Sequence, residues 1–134
     1  MNGNPATRRG FLFCRDVVMD FSKLGGLVPA VIQDADSREV LMVGFMNDEA
    51  LQITKRTGFA TFFSRTRQAL WTKGETSGNR LEVVEMIADC DDDTVLVKVR
   101  RLGDGHVCHT GARSCFFRAV GQEKAATRGR ASGI

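Results

Sequence analysis

Three of the four cysteines of this chain lie between residues 90 and 115, and the first of them stands in a run of aspartates. The residues concerned are Asp89, Cys90, Asp91, Asp92, Asp93, Cys108 and Cys115. Thiolates favour a borderline-soft ion such as zinc, whereas clustered carboxylates favour a hard ion such as magnesium. We therefore expect a fold that gathers these thiols around one ion and the carboxylates around another.

The number of thiols indicates the kind of zinc site. A structural zinc site is normally closed by four protein ligands, whereas a catalytic site keeps three and leaves a position for water. Cys90, Cys108 and Cys115 supply three, and the paired CxxC motifs of zinc fingers are absent from the sequence. A single cysteine is more often a buried core residue, but three beside an acidic run favour a metal centre.

Composition limits the remaining function classes. With 134 residues we expect one domain over residues 15–120, with tails at 1–14 and 121–134. The sequence shows no membrane-spanning apolar run and no leader pattern, which predicts a cytoplasmic protein with reduced thiols and no membrane partner. A net charge of +3 and 7% aromatic residues argue against nucleic-acid binding and favour a small anionic substrate.

Residue periodicity predicts an α+β fold that is predominantly β, with a mixed or antiparallel sheet and two short helices. The first helix is predicted at 16–24, where apolar residues recur at helical spacing before two glycines. The second is predicted at 48–57, between Asn47 as N-cap and Gly58 at the C-terminal end. A β-hairpin is predicted from segments 28–33 and 39–45, and further strands at 59–64, 81–88, 94–102 and 114–120.

Strand geometry restricts how one chain could assemble the zinc site. In an extended segment Asp89, Asp91 and Asp93 would project to one side and Cys90 to the other, although such acidic runs are also common as solvated turns. A hairpin turn at 103–105 would place Cys108 opposite Arg100, roughly 33 Å along the strand from Cys90.

Cys108 and Cys115, by contrast, bracket a short segment in which Gly111 allows the backbone to double back. Two explanations remain open for the third thiol. Cys90 comes from one subunit and the other two thiols from its partner, or a bulge redirects a thiol within one chain.

Residues 71–79 form a polar loop with hydroxyl groups, two glycines and Lys73, and two arginines precede it at 65 and 67. Backbone N–H groups, hydroxyls and cationic side chains can together hold a phosphate. The same composition is also typical of an ordinary hairpin connection.

Four segments in order resemble the phosphoribosyl-AMP cyclohydrolase family of histidine biosynthesis. They are residues 41–51 (LMVGFMNDEAL), 63–79 (FSRTRQALWTKGETSGN), 89–93 (DCDDD) and 108–118 (CHTGARSCFFR). The resemblance extends over residues 20–118 and implies hydrolytic opening of the N1–C6 bond of 1-(5-phosphoribosyl)-AMP. It departs from the family pattern at three positions, where relatives commonly have Trp or Tyr for Phe63, His for Thr72 and Gln for Arg101.

The resemblance also implies an intertwined homodimer with two kinds of metal ion. Zinc would be held by Cys90 of one subunit and by Cys108 and Cys115 of the other. Magnesium would be held by the three alternate aspartates, Asp89, Asp91 and Asp93.

Candidate roles follow for the remaining polar residues. His109 is a proton carrier or an additional zinc ligand. Trp71 stacks on a base or anchors the loop in the core, Arg113 reaches a phosphate or is a solvated loop residue, and Glu75 orients a neighbour or accepts backbone hydrogen bonds. The candidate substrate contacts are Arg65, Trp71, Lys73, Glu75, Ser77, Asn79 and Arg113.

Two other functions use the same residues. A zinc nucleobase deaminase also attacks a purine C6, but its His-x-Glu and Pro-Cys-x-x-Cys signature is missing. A zinc-stabilised binding module without catalysis would unfold on chelation and have no open coordination position.

Overall fold

A computed structural model describes residues 17–121 of the chain. The elements in this range are β1 (Val28–Asp34), β2 (Val40–Met46), α1 (Asp48–Thr57), β3 (Thr61–Ser64), β4 (Ala69–Thr72), β5 (Leu81–Ala88) and β6 (Val95–Arg101). The larger sheet has the order β2-β1-β6-β5, with β1 and β6 parallel and the other neighbours antiparallel, while β3 and β4 pair separately. The predicted α+β class with a predominantly β, mixed sheet is confirmed.

The hydrophobic core lies on one face of the larger sheet. Alternate residues of its two central strands are fully or almost fully buried, namely Val28, Ala30, Ile32, Val95, Val97 and Val99. Leu51 of α1 and Phe62 of β3 belong to the same cluster. The Phe62 ring lies so close to Gly44 of β2 that a Cβ there would be 2.6 Å from Phe62 Cδ1. Gly44 therefore permits this close packing of β3 against the sheet.

Helix α1 begins and ends where the sequence predicts. Asn47 Oδ1 accepts a hydrogen bond from Ala50 N at 2.8 Å, which satisfies one of the free N–H groups of the first turn. Gly58 has a φ of 80°, and its N–H donates to Thr54 O, as in a left-handed C-terminal cap. The helix prediction at 48–57 and the hairpin prediction for β1 and β2 are both confirmed.

The second face of the larger sheet carries an apolar row across all four strands, which we call the open row. The register pairs Val43 with Val31, Val31 with Leu96, and Leu96 with Ile87. Paired residues project from the same face of a sheet. Val43 is 45% exposed and Ile87 38% exposed, so this face is only partly covered within one chain.

The predicted helix at 16–24 is wrong over its described part, residues 17–24, which form turns and irregular backbone. Asp20 Oδ1 accepts hydrogen bonds from the N and Oγ of Ser22 at 2.9 and 2.6 Å. An aspartate that bonds the backbone two residues ahead offers an alternative to helical hydrogen bonding. Of the apolar residues that suggested a helix, Phe21 packs against the core, whereas Val17, Val18 and Leu24 are exposed.

The predicted strand at 114–120 is also wrong, since this segment is irregular. Its N-terminal end is fixed by individual hydrogen bonds to β2, and Phe116 and Phe117 remain 61% and 57% exposed. Strand β4 was not predicted, because its last two residues, Trp71 and Thr72, were assigned to the polar loop. The short pairing of Trp71 with Phe62 and of Leu70 with Phe63 gives it partners that sequence alone did not reveal.

The hairpin predicted to return after residues 103–105 is absent from the described range, which continues without a strand from Leu102 to Gly121. Cys108 therefore does not lie opposite Arg100. Both predicted tails and Cys14 lie outside the described residues, apart from Gly121. No helix within residues 17–121 is long and apolar enough to cross a membrane.

Candidate metal and nucleotide site

The acidic run forms the turn between β5 and β6 rather than an extended segment. Asp89 Oδ1 accepts from Asp93 N and Thr94 N at 3.0 and 3.2 Å, and Asp92 adopts a φ of 63°, which aspartate tolerates better than most residues. The prediction that these aspartates project to one side of an extended segment is therefore wrong. The turn nevertheless brings one carboxylate oxygen each of Asp89, Asp91 and Asp93 within 4.8 Å of one another.

A lysine from the N-terminal segment already contacts this carboxylate cluster. Lys23 Nζ lies 3.1 Å from Asp91 Oδ2 and 3.2 Å from Asp93 Oδ2. These contacts raise the pKa of Lys23 and lower the pKa of Asp91, whereas the hydrogen bond with Asp91 raises the pKa of Asp93. The backbone N–H of Asp20 donates to Asp92 O at 2.6 Å, so the segment before β1 is bound to the turn through backbone and side chain.

Cys108 and Cys115 lie on a loop that folds back on itself, as expected from Gly111. Cys108 N donates to Ala112 O at 3.1 Å, and Gly111 N donates to Cys108 O at 3.0 Å. Gly111 has a φ of 92°, a conformation that favours glycine. Cys108 is buried and Cys115 is exposed, and the structure brings the two thiols together.

The two thiols differ in their electrostatic surroundings. Thr110 Oγ1 donates to Cys108 Sγ at 3.1 Å, and this bond is the main cause that lowers the pKa of Cys108. Partial desolvation of the sulfur and its interaction with Cys108 raise the pKa of Cys115. The positive charge of Lys73 acts to lower the pKa of both thiols, but at Cys115 this effect is smaller than the effects that raise it. Of the two thiols, Cys108 is therefore the more readily ionised.

Cys90 lies at the opposite end of the sheet from this thiol pair. It stands in the turn before β6, at the end where Ala30 pairs with Val95. Cys115 N donates to Leu41 O at 2.7 Å, which fixes the pair near the far end of β1. Leu41 lies level with Ile32 and Gln33 of β1. These residues pair with Val97 and Lys98, which are two to three positions along β6 from Val95. Among residues 17–121 the three thiols form no common metal-ligand group.

A bulge at the start of β2 holds the loop of the thiol pair. The register moves from Ile32–Met42 to Gln33–Val40, which leaves Leu41 as an extra residue. The carbonyl groups next to this shift accept hydrogen bonds from the loop. Ser114 Oγ donates to Val40 O at 2.7 Å, and Ser114 is buried.

Two arginine–carboxylate pairs flank the bulge, and sequence reasoning missed both acidic partners. Arg113 Nε and Nη2 donate to Glu39 Oε1 and Oε2 at 2.6 and 3.3 Å. Arg101 donates through Nε to Asp34 Oδ1 at 3.2 Å and through Nη1 to Gly105 O at 3.0 Å. The sequence of the β1–β2 turn gave one indication for Asp34. An aspartate at the start of a turn often accepts a hydrogen bond from a backbone N–H of the same turn. Ser37 N does donate to Asp34 Oδ2, at 2.8 Å.

Aromatic residues organise the neighbouring surface. The Trp71 ring centroid lies 4.9 Å from that of Phe62, and Trp71 packs against the core. Lys73 Nζ lies 5.9 Å from the Trp71 ring centroid, and the guanidinium carbon of Arg65 lies 4.1 Å from that of Phe45. Both cations are thus held beside aromatic faces. The interpretation of Trp71 as a loop anchor fits this packing.

The polar loop is shaped by its own side chains. Glu75 Oε1 accepts from Thr72 N at 2.8 Å, and Ser77 Oγ accepts from Asn79 N at 3.1 Å. Asn79 Oδ1 accepts from Asp104 N at 2.8 Å, which joins this loop to the segment after β6. A Cβ at Gly74 would lie 2.3 Å from the backbone of Asn79, so only glycine fits there.

His109 is exposed and follows the buried Cys108 directly in the sequence. Two of the positions that depart from the family pattern have evident partners. Thr72 Oγ1 and Thr61 Oγ1 are hydrogen-bonded at 2.9 Å, and Arg101 binds Asp34 as described above. Phe63 is half-buried on β3.

The family model of phosphoribosyl-AMP cyclohydrolase matches residues 42–117. A protein of Desulfatibacillum aliphaticivorans with this name is 56% identical over 108 residues, which cover 81% of this chain and 86% of the relative. A protein of the same name from Solibacter usitatus (strain Ellin6076) is 61% identical over 102 residues, 76% of this chain and 80% of the relative.

Proposed function

The chain belongs to the phosphoribosyl-AMP cyclohydrolase family, and from this membership we propose that it opens the adenine ring of 1-(5-phosphoribosyl)-AMP by hydrolysis. The oxygen of water bonds to C6, the N1–C6 bond breaks, and N1 receives a proton. The product is the formimino aminoimidazole carboxamide ribotide. The observation that carries the proposal is the proximity of Cys108 and Cys115 in one loop, with His109 next to Cys108 in the sequence.

The donor set fits zinc, which is the cofactor we propose. Two thiols meet in one loop, and Thr110 and Lys73 both favour the thiolate form of Cys108. A third thiol from Cys90 leaves one of four tetrahedral positions open. When bound, zinc supplies a Lewis acid that lowers the pKa of water from about 15.7 towards ~7. Reduced thiols are maintained in the cytoplasm, and we propose that location.

We assign the proton transfer to His109. Imidazole is the side chain best suited to exchange protons near neutral pH, and His109 directly follows the proposed ligand Cys108 in the sequence. A His109→Ala variant separates the two possible roles. Retained zinc with lost turnover supports a proton carrier, whereas lost zinc supports a ligand.

We propose that the working unit is a homodimer. Cys90 stands in the turn before β6, whereas the thiol pair is attached to the start of β2, and the three thiols form no common metal-ligand group within residues 17–121. A second copy packed in the reverse direction would bring Cys90 of the partner subunit to the thiol pair. The open row, from Val43 to Ile87, offers apolar area that a second copy would bury.

The two phosphates of the substrate need cations and donors. We propose that Arg65, Lys73, Ser77 and Asn79 supply them. The support is their cationic, hydroxyl and amide chemistry, together with the charge of Lys73, which acts on both thiols. The carboxylates of Asp89, Asp91 and Asp93 fit magnesium, because they offer hard oxygen ligands and already attract the ammonium group of Lys23. A magnesium ion there would help to hold a phosphate.

The direct test is to incubate the purified protein with phosphoribosyl-AMP and follow ring opening by absorbance. We expect turnover that a chelator abolishes and added zinc restores. Release of ammonia would identify a deaminase instead. Absence of turnover with zinc fully bound would support a binding module.

A further inference from the structure

The strongest feature left unused by the proposed reaction is the contact between the β1–β2 turn and the loop of the thiol pair. Arg113 stands two residues before Cys115, and Glu39 stands immediately before β2. Their side chains make two parallel hydrogen bonds, at 2.6 and 3.3 Å. A two-bond arginine–carboxylate pair fixes orientation as well as distance.

Three consecutive residues, from Glu39 to Leu41 at the start of β2, each form hydrogen bonds with the loop of the thiol pair. Glu39 binds the side chain of Arg113, the Val40 carbonyl accepts from Ser114 Oγ at 2.7 Å, and the Leu41 carbonyl accepts from Cys115 N at 2.7 Å. Glu39 is itself anchored to β1, since its carbonyl accepts from Asp34 N at 2.8 Å. Hydrogen bonds to these three consecutive residues therefore fix the position of Cys115 relative to the sheet.

The charge environment strengthens this contact. The hydrogen bond from Arg113 lowers the pKa of Glu39 and raises the pKa of Arg113, and the charge of Arg101 acts on Glu39 in the same direction. The Glu39 side chain is 32% exposed and that of Arg113 60% exposed. An exposed ion pair contributes little to global stability. The main effect of this pair is therefore to fix the orientation of the loop relative to β2.

We propose that Glu39 and Arg113 are positioning residues that lock the Cys108–Cys115 loop onto the bulged start of β2. Arg113 thereby acts on the thiol pair through the backbone of Ser114 and Cys115 instead of binding a substrate phosphate. The proposal deepens the function proposed above and rests on it only for the consequences in catalysis. The lock itself is a property of the metal-free chain.

The test uses a double-mutant cycle of Glu39→Gln, Arg113→Gln and both together. Glu82→Gln provides a matched control, because Glu82 and Arg100 form an exposed pair of 3.3 Å on the sheet, away from the loop. The first measurement is hydrogen exchange at the Cys115 amide in the metal-free full-length protein. We expect about tenfold faster exchange in both single variants, no further increase in the double variant, and no change in the control.

The second measurement is steady-state turnover of the zinc-loaded variants. A positioning role predicts that kcat falls by about tenfold with little change in KM, equally for Glu39→Gln and Arg113→Gln. A phosphate ligand at Arg113 predicts a raised KM for Arg113→Gln alone, with Glu39→Gln unaffected, and that result would overturn the proposal. So would unchanged exchange at the Cys115 amide. The exchange measurement needs neither zinc nor substrate, so it remains decisive if the proposed reaction is wrong.

Discussion

The two ends of the central sheet are built in different ways. At the carboxylate end, defined by Asp89, Asp91, Asp93 and Cys90, the charged groups are largely exposed and are bridged by the ammonium of Lys23. At the thiol end, defined by residues 108–115, buried Ser114 and backbone hydrogen bonds attach the loop to β2. The first end is organised by charge and the second by packing and directional bonds. We expect the carboxylate end to respond to added cations and the thiol end to be formed before any metal binds.

The largest expected effect comes from removing a thiol. In Cys115→Ser the proposed zinc set loses a ligand, because a hydroxyl is a much weaker zinc ligand than a thiolate. We expect zinc content and turnover to fall together to background. Cys14→Ser, which changes a cysteine outside the proposed set, is the control and should retain both. Full zinc content in Cys115→Ser would remove this residue from the site.

A smaller effect is expected from loosening the thiol end without touching a thiol. Ser114→Ala removes the 2.7 Å bond to Val40 O at a position only 5% exposed. Loss of a buried hydrogen bond costs about 1–2 kcal/mol, which corresponds to a decrease in Tm of several degrees. Thermal unfolding of the metal-free protein measures it. Ser22→Ala, at an exposed site, should leave Tm unchanged, and equal Tm values for both variants would contradict a packed thiol end.

The carboxylate end should show the opposite response to mutation. Replacing Lys23 with Met removes the cation that occupies Asp91 and Asp93, so we expect the affinity for Mg²⁺ to rise by up to about fivefold. Calorimetric titration of Mg²⁺ measures the change. Lys98→Met removes another lysine ammonium, whose partner, Glu85, lies 4.0 Å away on the sheet, and it should have no effect. Weaker Mg²⁺ binding in Lys23→Met would show that the lysine assists the metal.

The smallest effect concerns pH and the β1–β2 turn. Hydrogen bonds from Ser37, followed by Arg101, hold the pKa of Asp34 below its usual value. A carboxyl group with a lowered pKa in the folded state stabilises that state above its unfolded pKa of about 4, and the stabilisation is lost as pH falls through the lowered value.

Wild type should therefore be more stable than Asp34→Asn at pH 7 by about 1 kcal/mol, and the difference should shrink as pH falls below the unfolded pKa of about 4. Chemical unfolding at several pH values measures the difference. A gap between the two proteins that stays constant down to low pH would contradict this account of the turn.

The sequence predicted those parts whose signals are local. Asn47 and Gly58 identify both ends of α1, and the β1–β2 hairpin follows from β-branched residues around a polar turn. The loop that joins Cys108 to Cys115 was predicted correctly because Gly111 marks the reversal.

The errors arise where tertiary contacts override local pattern. Asp20 and Lys23 bind the β5–β6 turn, so the apolar spacing of residues 17–24 does not produce a helix. Residues 114–120 carry strand-forming side chains, but only Ser114 and Cys115 at the start of the segment form hydrogen bonds with β2. Glu39 was not predicted as a site residue, because its partner Arg113 is 74 residues away in sequence. No local sequence pattern indicates such a contact.

The central claim is that each site takes Cys90 from one chain and the thiol pair from another. It is tested most directly by mixing two inactive variants, Cys90→Ser and Cys108→Ser/Cys115→Ser, under conditions that allow subunits to exchange. Each heterodimer would contain one intact set of thiols, so random exchange predicts recovery of about a quarter of wild-type zinc content and activity. No recovery after demonstrated exchange, or a monomeric wild type that binds zinc and turns over substrate, would contradict the account.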